Sequence, residues 1–468
     1  MIALLLFPNQ LFDHRFVYNR YDKIYFIEDH LYYGFRSKRL LLNHVRLAYM
    51  YVTHQMYVKY MKKRYGSRFT YIDYDKAKSF DYAKLVAKYK VDAYDPADND
   101  LTQKLSKSRI KITDSLSFIA SRKDIQSYRR QHPNAMRHNV FYNYMKSKIN
   151  ILVNVDNQDK FNRQSYSRKI EDIKYTNPLS NKVRPYTNPS IWLDAIKWIN
   201  KHKEFSGNMK PLIPWPTLIK TYLTKLPVTR DQVHSWFNLF LKDRFKHYGT
   251  YQDVVKLDNP LLFHSGLSIF LNNGLIFPHY VVVKAYDYYK RHKKTITLAS
   301  CEGFIRQVLG WREYSYLYYY YAYKDNKLIT RNHFKFSRHK LPRSWYNGTT
   351  SDELLNKCIQ YAVNYGYINH IQRLMIVSNY MLLHRIHPDN LYKWMFEFSL
   401  DSYEWVMIFN CYSMGSFSDG GFAMHKPYIC GSNYLRKMCN YKLLSHPKSI
   451  YKWDDDYKKF VKKYKIRG

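Results

Sequence analysis

The chain has 468 residues, long enough to bury a large core and to divide into two or three domains. Apolar residues make up 46% and charged residues 24%, the balance of a folded globular chain and not of a disordered one. The 76 basic against 37 acidic residues leave a formal net charge of +39, which argues against basic partners and points to a polyanion, nucleic acid first, or to a lysine-rich surface that only maintains solubility.

Taken in order, MIALLLFPNQLF has a short apolar run with no basic region before it and no small-residue cleavage site, and it reads as a first buried strand. Further strands are expected at 24–27 and 69–73, with a long basic helix over 35–64, a helix near 77–89 and VDAYDP at 91–96. This alternation predicts a parallel α/β sheet. No GxGxxG follows any of these strands, so the usual dinucleotide fingerprint is absent. A helical turn at LSKSRIKI and the following ITDSLSFIA are expected to add a further unit before the chain turns polar near 122–138. From 152 to 190 the sequence is polar and basic, broken by Pro and Asn, as expected of a connection lying across the surface. Helices are then predicted near 191–203, 215–223, 230–247, 279–293, 300–324, 352–366, 368–383 and 388–397. The end concentrates Lys458, Lys459, Lys462, Lys463, Lys465 and Arg467 on a tail that either binds phosphates or stays a disordered solubilising end.

No window reaches the roughly 18 apolar residues of a membrane span. The five cysteines (Cys301, Cys358, Cys411, Cys430 and Cys439) form no CxxC and no disulfide framework, so an intracellular compartment is expected, cytoplasmic or DNA-associated, with no structural metal.

Three motifs carry the chemistry. EGFIRQVLGWREY places Glu302, Arg306 and Glu313 at helical spacing beside Trp311 and Arg312; an internal Glu302–Arg306 pair is the plain alternative. NHIQRLM offers Asn369, His370, Gln372 and Arg373, although a lone histidine there is more often a hydrogen-bonded core residue. DSYEWVMIFNCYSMGSFSDGG supplies Asp401, Glu404, Asn410, Ser416 and Asp419, with Gly420 and Gly421 allowing close backbone approach. Upstream, HSGLSIFLNNGL sets Ser265 and Ser268 before a helix, as a phosphate site or simply an N-cap. Composition and spacing alone reach a cofactor-sized pocket in a basic helical domain.

LLFHSGLS, NNGLIFP, EGFIRQVLGWREY, GYINHIQRLM, YEWVMIFNCYSMGSFSDGG and KPYICGSNYLRKM together resemble the photolyase/cryptochrome superfamily. The resemblance is narrower to its bacterial iron-sulfur branch of (6-4) photolyases and photolyase-related proteins; it is faint over the first 130 residues and strong from about 260 to 441. It implies a Rossmann-like parallel-sheet antenna domain over 1–130, an interdomain linker over 131–210 and an all-helical FAD-binding domain over 211–468. On that resemblance Ser265, Leu267 and Ser268 contact the FAD phosphates. Glu302, Arg306, Trp311 and Arg312 line the flavin pocket, and Asn410, Asp419 and Gly420 surround the ring system. His370, Tyr428 and Tyr434 take the lesion site, and Trp345 and Trp394 the electron-transfer positions. The implied function is light-driven repair of a flipped pyrimidine dimer in UV-damaged DNA, of the (6-4) type, with no obligate protein partner. A lumazine-type antenna is also implied, for which Glu28, Asp29 and His30 lie at a suitable strand end.

Several positions depart from the family pattern. Asn369 stands for the first histidine of the family's pair, and Met395 for the tyrosine beside Trp394. Leu354, Lys442 and Ser445 stand where iron-sulfur cysteines are expected, so no cluster is expected here. In the linker motif, Phe161 replaces tryptophan and Gln164 aspartate, while Arg168 is kept. A cryptochrome-like photoreceptor without repair activity, and a basic DNA-packaging protein that keeps only the fold, therefore stay open.

Overall fold

The computed structural model describes residues 1–13, 15–133, 136–324, 331–440 and 447–466. Five strands, β1 (Ile2–Leu6), β2 (Lys23–Ile27), β3 (Phe69–Ile72), β4 (Lys90–Tyr94) and β5 (Lys111–Thr113), form one parallel sheet in the order β3-β2-β1-β4-β5. Central β1 pairs with both neighbours, Leu4 opposite Ile24 and Asp92. Its IALLL run is buried after the first residue, as a parallel strand covered on both faces requires. LSKSRIKI, expected as a helical turn, divides between a helix (Asn99–Lys107) and β5.

The long helix starts later than its apolar pattern suggests, at His44, and runs to Tyr65. Gly34 ends a short 3-10 turn in a left-handed conformation (φ 86°), and 35–43 becomes an irregular strap between the two halves. Leu40 and Leu42 are buried there, the Leu41 amide donates to Glu397 at 2.6 Å, and Arg36 pairs with Asp98. Asn43 caps the helix through the Val45 amide (2.8 Å) and donates its own amide to the Val363 carbonyl (2.8 Å), so one side chain both starts the helix and ties it to the helical half.

Strand order reverses between β1 and β4, the place where open α/β sheets bind ligands beyond the strand ends. Here the crevice is filled from within. Gln10 donates to the carbonyls of Tyr94 (3.3 Å) and Asp95 (3.2 Å), and Asn9 to that of Pro96 (2.8 Å). From the helix Glu313–Lys324, Tyr316 donates to Asp95 at 2.9 Å and Tyr320 donates to the same carboxylate. Phe118 stacks on Tyr316 with ring centres 3.6 Å apart. An N-terminal parallel-sheet domain is thus followed by a large, mostly helical domain, and one apolar core runs through both.

Glu313 pins the two together. Fully buried, it accepts hydrogen bonds from the amides of Ile119 (3.0 Å) and Ala120 (2.9 Å), while its Oε1 has no partner. Burial raises its carboxyl to about 7 against the pull of those amides and of Arg312. Between its unfolded value near 4.3 and about 7 the native state holds the extra proton, so stability falls as pH rises through that window, by on the order of 3 kcal/mol. Glu313→Gln is expected to flatten this slope in urea titrations between pH 5 and 8; an unchanged slope would place the titration elsewhere.

The basic end is not a disordered tail over its described length. It forms a helix, Pro447–Tyr464, whose Trp453 and Phe460 are buried while Lys458, Lys459, Lys462 and Lys463 face solvent. The Trp453 indole donates to Asp352 at 2.8 Å and the Phe460 ring lies 5.3 Å from that of Phe334. Arg467, and Lys442 and Ser445 from the cluster positions, lie outside the described residues. Among the described residues no helix is long and apolar enough to cross a membrane.

Candidate active site

The three motifs share a feature their periodicity did not announce. Each contains or runs into a π-helical stretch, Arg306–Arg312, Gln372–Ser378 and Ile408–Gly415. Such i→i+5 turns are rare, widen the helix locally and recur at functional sites. The long helices expected over 300–324 and 368–383 are therefore α–π composites. Arg306, Trp311, Arg312 and Asn410 lie within these turns, and His370 two residues before one.

From them a chain of alternating charge runs outward. Glu302 (0% exposed) lies 3.1 Å from the Arg306 Nε, too far out of line for a hydrogen bond. Arg306 holds Asp159 of the connecting segment through both terminal nitrogens, one at 2.7 Å. Arg163 reaches Asp159 and Asp253, each at 3.3 Å, and Asp253 faces the His370 Nε2 at 3.6 Å. Burial raises the Asp253 carboxyl, but His370 and Arg163 outweigh it and leave it below the usual range. For Glu302 burial wins and the carboxyl is raised despite Arg306. The connecting segment is docked by its backbone as well: the amides of Arg163 and Gln164 donate to the Gly249 and Thr250 carbonyls at 3.1 and 2.8 Å.

His370 is 48% exposed on the side chain, and its ring centre is 5.2 Å from that of buried His264. Tyr428 and Tyr434 are partly buried in the field of Asp253 and Arg163, and burial first, then Asp253, holds both phenols protonated well past neutrality. A half-exposed imidazole thus faces a carboxylate whose charge also reaches two phenols, a set of groups able to donate a proton or polarise a carbonyl. Phe161, on the docked segment, is 59% exposed, whereas Gln164 and Arg168 are exposed without reaching this cluster.

The other expected residues are less open than a lined cavity suggests. Arg312 donates to Asn272 and to the carbonyls of Ser117 (3.0 Å) and Leu271 (3.3 Å), and lies over the Trp405 ring at 4.6 Å. It holds the domain interface. Trp311 stacks on His138 with centres 3.8 Å apart. Asn410 donates to the Val406 carbonyl at 2.7 Å, and Asp419 accepts from Tyr318 at 3.1 Å. Gly420 has φ 65°, and a side chain there would meet His333 at 2.7 Å, so the close approach it permits is to that ring. Ser268 starts a five-residue helix and reaches Asp401, which Arg373 grips at 2.9 Å; Leu267 is buried. The Ser265 carbonyl accepts the Trp236 indole at 2.7 Å.

Arg244 escaped the sequence reading. Fully buried, it donates one hydrogen bond, 2.6 Å to the His264 carbonyl, while Nε and Nη2 have no partner. Burial pushes its guanidinium down to about 10, which leaves it charged at neutral pH. An unpaired buried cation beside the 264–268 loop is costly unless an anion completes it.

Trp394 and Trp345 meet edge to face at 6.1 Å, and the Trp394 indole donates to the Trp345 carbonyl at 2.7 Å. Leu354 and Cys358 are both fully buried, and no group of three or more metal-ligating side chains occurs among the described residues. At the expected antenna position Glu28 pairs with His54 at 2.7 Å, Asp29 holds Tyr82 (2.9 Å) and Lys104 (2.8 Å), and His30 stacks on Tyr74 at 4.4 Å.

The family model described as deoxyribodipyrimidine photo-lyase-related protein matches residues 4–211, a stretch that contains none of the six motifs quoted above. A bacterial class III photolyase from Agrobacterium tumefaciens superposes on 98% of this chain and 86% of its own, with a TM-score of 0.56 at 15% identity. The Synechocystis sp. PCC6803 cryptochrome does so over 98% and 88%, with a TM-score of 0.57 at 12% identity. The fold is that of photolyases and cryptochromes, and the family match is to the N-terminal part of the chain. It is 37% identical to the (6-4) photolyase of Agrobacterium fabrum over 214 residues, an alignment that spans 46% of this chain and 41% of that protein. Two uncharacterized proteins of Acanthamoeba polyphaga mimivirus are similar as well. One is 49% identical over 98 residues and 78% of its length, the other 40% identical over 116 residues and 85% of its length.

Proposed function

We propose that this chain is an FAD-dependent photolyase that repairs UV-damaged DNA, with a (6-4) photoproduct as its substrate. The observation that carries the reading is His370, half-exposed and facing Asp253 at 3.6 Å, with Tyr428 and Tyr434 in the same electrostatic neighbourhood. That set suits a base extruded from the duplex: the imidazole protonates or polarises the lesion while Asp253 holds its second nitrogen side in place. The +39 charge supplies the grip on phosphates.

The residues fit a flavin dinucleotide best at its diphosphate. The two unpartnered Arg244 donors beside Ser265, Leu267 and Ser268 are the groups an anionic bridge would complete. Glu302, Arg306, Trp311, Arg312, Asn410, Asp419 and Gly420 are assigned to the flavin side. When bound, FAD supplies the light absorption and the electron for repair; the protein orients lesion and cofactor and excludes water. No iron-sulfur cluster is proposed, since Leu354 is packed into the apolar core.

A cryptochrome-like photoreceptor is the second reading. Asn369, 2% exposed, exchanges hydrogen bonds with Gln372 at 2.9 and 3.0 Å and is closed off from solvent, so a single imidazole faces the lesion. Illumination of the FAD-loaded protein with DNA bearing a defined (6-4) or cyclobutane lesion separates the two: loss of the (6-4) lesion supports repair, and loss of neither favours the receptor.

Arg244→Met gives an independent check with two signs. Removing an unpaired buried charge is expected to leave the flavin-free protein as stable or more so. It is also expected to weaken FAD about ten- to a hundred-fold, the loss of charge-assisted hydrogen bonds of about 1.5–3 kcal/mol. Unchanged FAD affinity in equilibrium titration would remove Arg244 from the site.

A further inference from the structure

Trp394 and Trp345 do not end their aromatic file. Tyr380 meets Trp345 edge to face with centres 5.9 Å apart, and beyond it lie Trp453 at 5.5 Å and His384, stacked at 3.8 Å. Burial falls off in the right order for a path from interior to surface: Trp394 is 0% exposed, Trp345 4%, Tyr380 7%, and the His384 side chain 28%.

We propose that Tyr380 is the terminal electron donor of this file, a redox-active tyrosine that re-reduces Trp345 and Trp394 and releases its proton to solvent through Ser351. The proposal rests on the flavin reading above only for its oxidant, a light-excited flavin. Trp394, having lost one electron to that oxidant, takes one from Trp345, and the Trp345 radical cation takes one from Tyr380. The phenol then loses its proton and becomes a neutral tyrosyl radical, so one electron moves inward for each proton that leaves.

Three contacts favour Tyr380 as the place where the hole stops. A phenol radical cation is a strong acid, and Tyr380 lies beside the exposed Ser351 hydroxyl, which also accepts Lys452 at 2.8 Å; the proton therefore has a short way to water. His384 is fixed flat against the phenol ring by its own bonds, Nδ1 to the Tyr380 carbonyl at 2.9 Å and Nε2 to Asp456 at 3.3 Å. It shields the ring from bulk solvent. Trp453, the rival terminus, is 2% exposed and its indole N–H is held by buried Asp352 at 2.8 Å. Its proton has no comparable exit.

Two measurements test this on the full chain, with Tyr380→Phe as the conservative variant. In FAD-loaded protein under blue light without reductant, electron paramagnetic resonance is expected to show a tyrosyl radical whose formation slows in D2O. The variant should lose that signal and photoreduce its flavin at least several-fold more slowly. In protein without flavin, a UV pulse that ionises tryptophan is expected to produce tryptophanyl radicals that decay as tyrosyl absorption grows, and the yield of that growth should drop in Tyr380→Phe. If the chain takes up no FAD, the repair reading fails and the second measurement alone decides. Equal tyrosyl yield in wild type and variant, or a Trp453 radical as the end product, overturns the proposal.

Discussion

His370→Ala is expected to lower light-driven repair of a (6-4) lesion by about a hundred- to ten-thousand-fold, the range a positioned general acid contributes, with FAD content unchanged. The separation follows from the geometry. His370 stands at the outer end of the charge chain, 48% exposed, with Asp253 as its charged partner and a ring contact to His264, so its removal leaves the Arg244 hydrogen bond to the His264 carbonyl available. Asp253 stays ionised through the neutral range and keeps Arg163 as a second partner at 3.3 Å, so the truncated site does not strand a buried charge. Asp253→Asn should show the milder form, a loss in repair with a changed pH profile, because the imidazole keeps its place and loses its carboxylate. The measurement is lesion disappearance per absorbed photon, alongside the flavin absorption spectrum. Equal repair by His370→Ala would end the assignment of His370 to lesion chemistry, and loss of FAD together with repair would show that His370 supports the fold of the pocket.

Much of this arrangement was legible in the residues and part was not, for identifiable reasons. Helix positions in the C-terminal half followed from apolar spacing, and most boundaries fall within a few residues, as at Pro278–Arg291 and Glu353–Tyr365. Periodicity failed where tertiary contacts set the backbone. Residues 35–43 carry a leucine run that reads as helix, yet Gly34 and the Glu397 and Asp98 contacts hold it as a strap. The π turns were invisible because one extra residue per turn shifts the apolar register by less than a spacing pattern of mixed residues resolves. His370, Tyr428 and Tyr434 were reached only through the family resemblance. Asp159, Arg163, Asp253 and Arg244 were not reached at all, since apart from the i,i+4 contact of Arg163 with Asp159 their charged partners lie about 90 or more residues away or are missing. A lone buried arginine has no mark in sequence; its meaning comes from the partner it lacks.

Arg306→Met is expected to destabilise the protein by about 3–5 kcal/mol, the cost of stranding partners in a buried ion pair, read from chemical denaturation at pH 7. Arg306 is 5% exposed and serves two carboxylates, Glu302 at 0% and Asp159 at 30%. The two respond differently. Asp159, which burial raises and Arg306 more than offsets, sits below its ordinary value; it contributes stability above its unfolded value and loses it as pH falls through the folded one. That acid-side contribution should shrink in the variant to what Arg163 and water leave to Asp159. Glu302 has no such exit: burial has already raised its carboxyl, and without Arg306 it must be protonated or remain an unpaired buried anion. Arg306→Met should therefore lose stability more steeply than wild type as pH rises from 5 to 8, and adding Glu302→Gln should restore part of the loss. Protease sensitivity should also appear between Asp156 and Gln164, where Arg306 holds the docked segment through Asp159. A loss below about 1 kcal/mol, the range of solvent-exposed pairs, would mean that water screens this network, and the charge chain from Glu302 to His370 would no longer couple the interior to the surface.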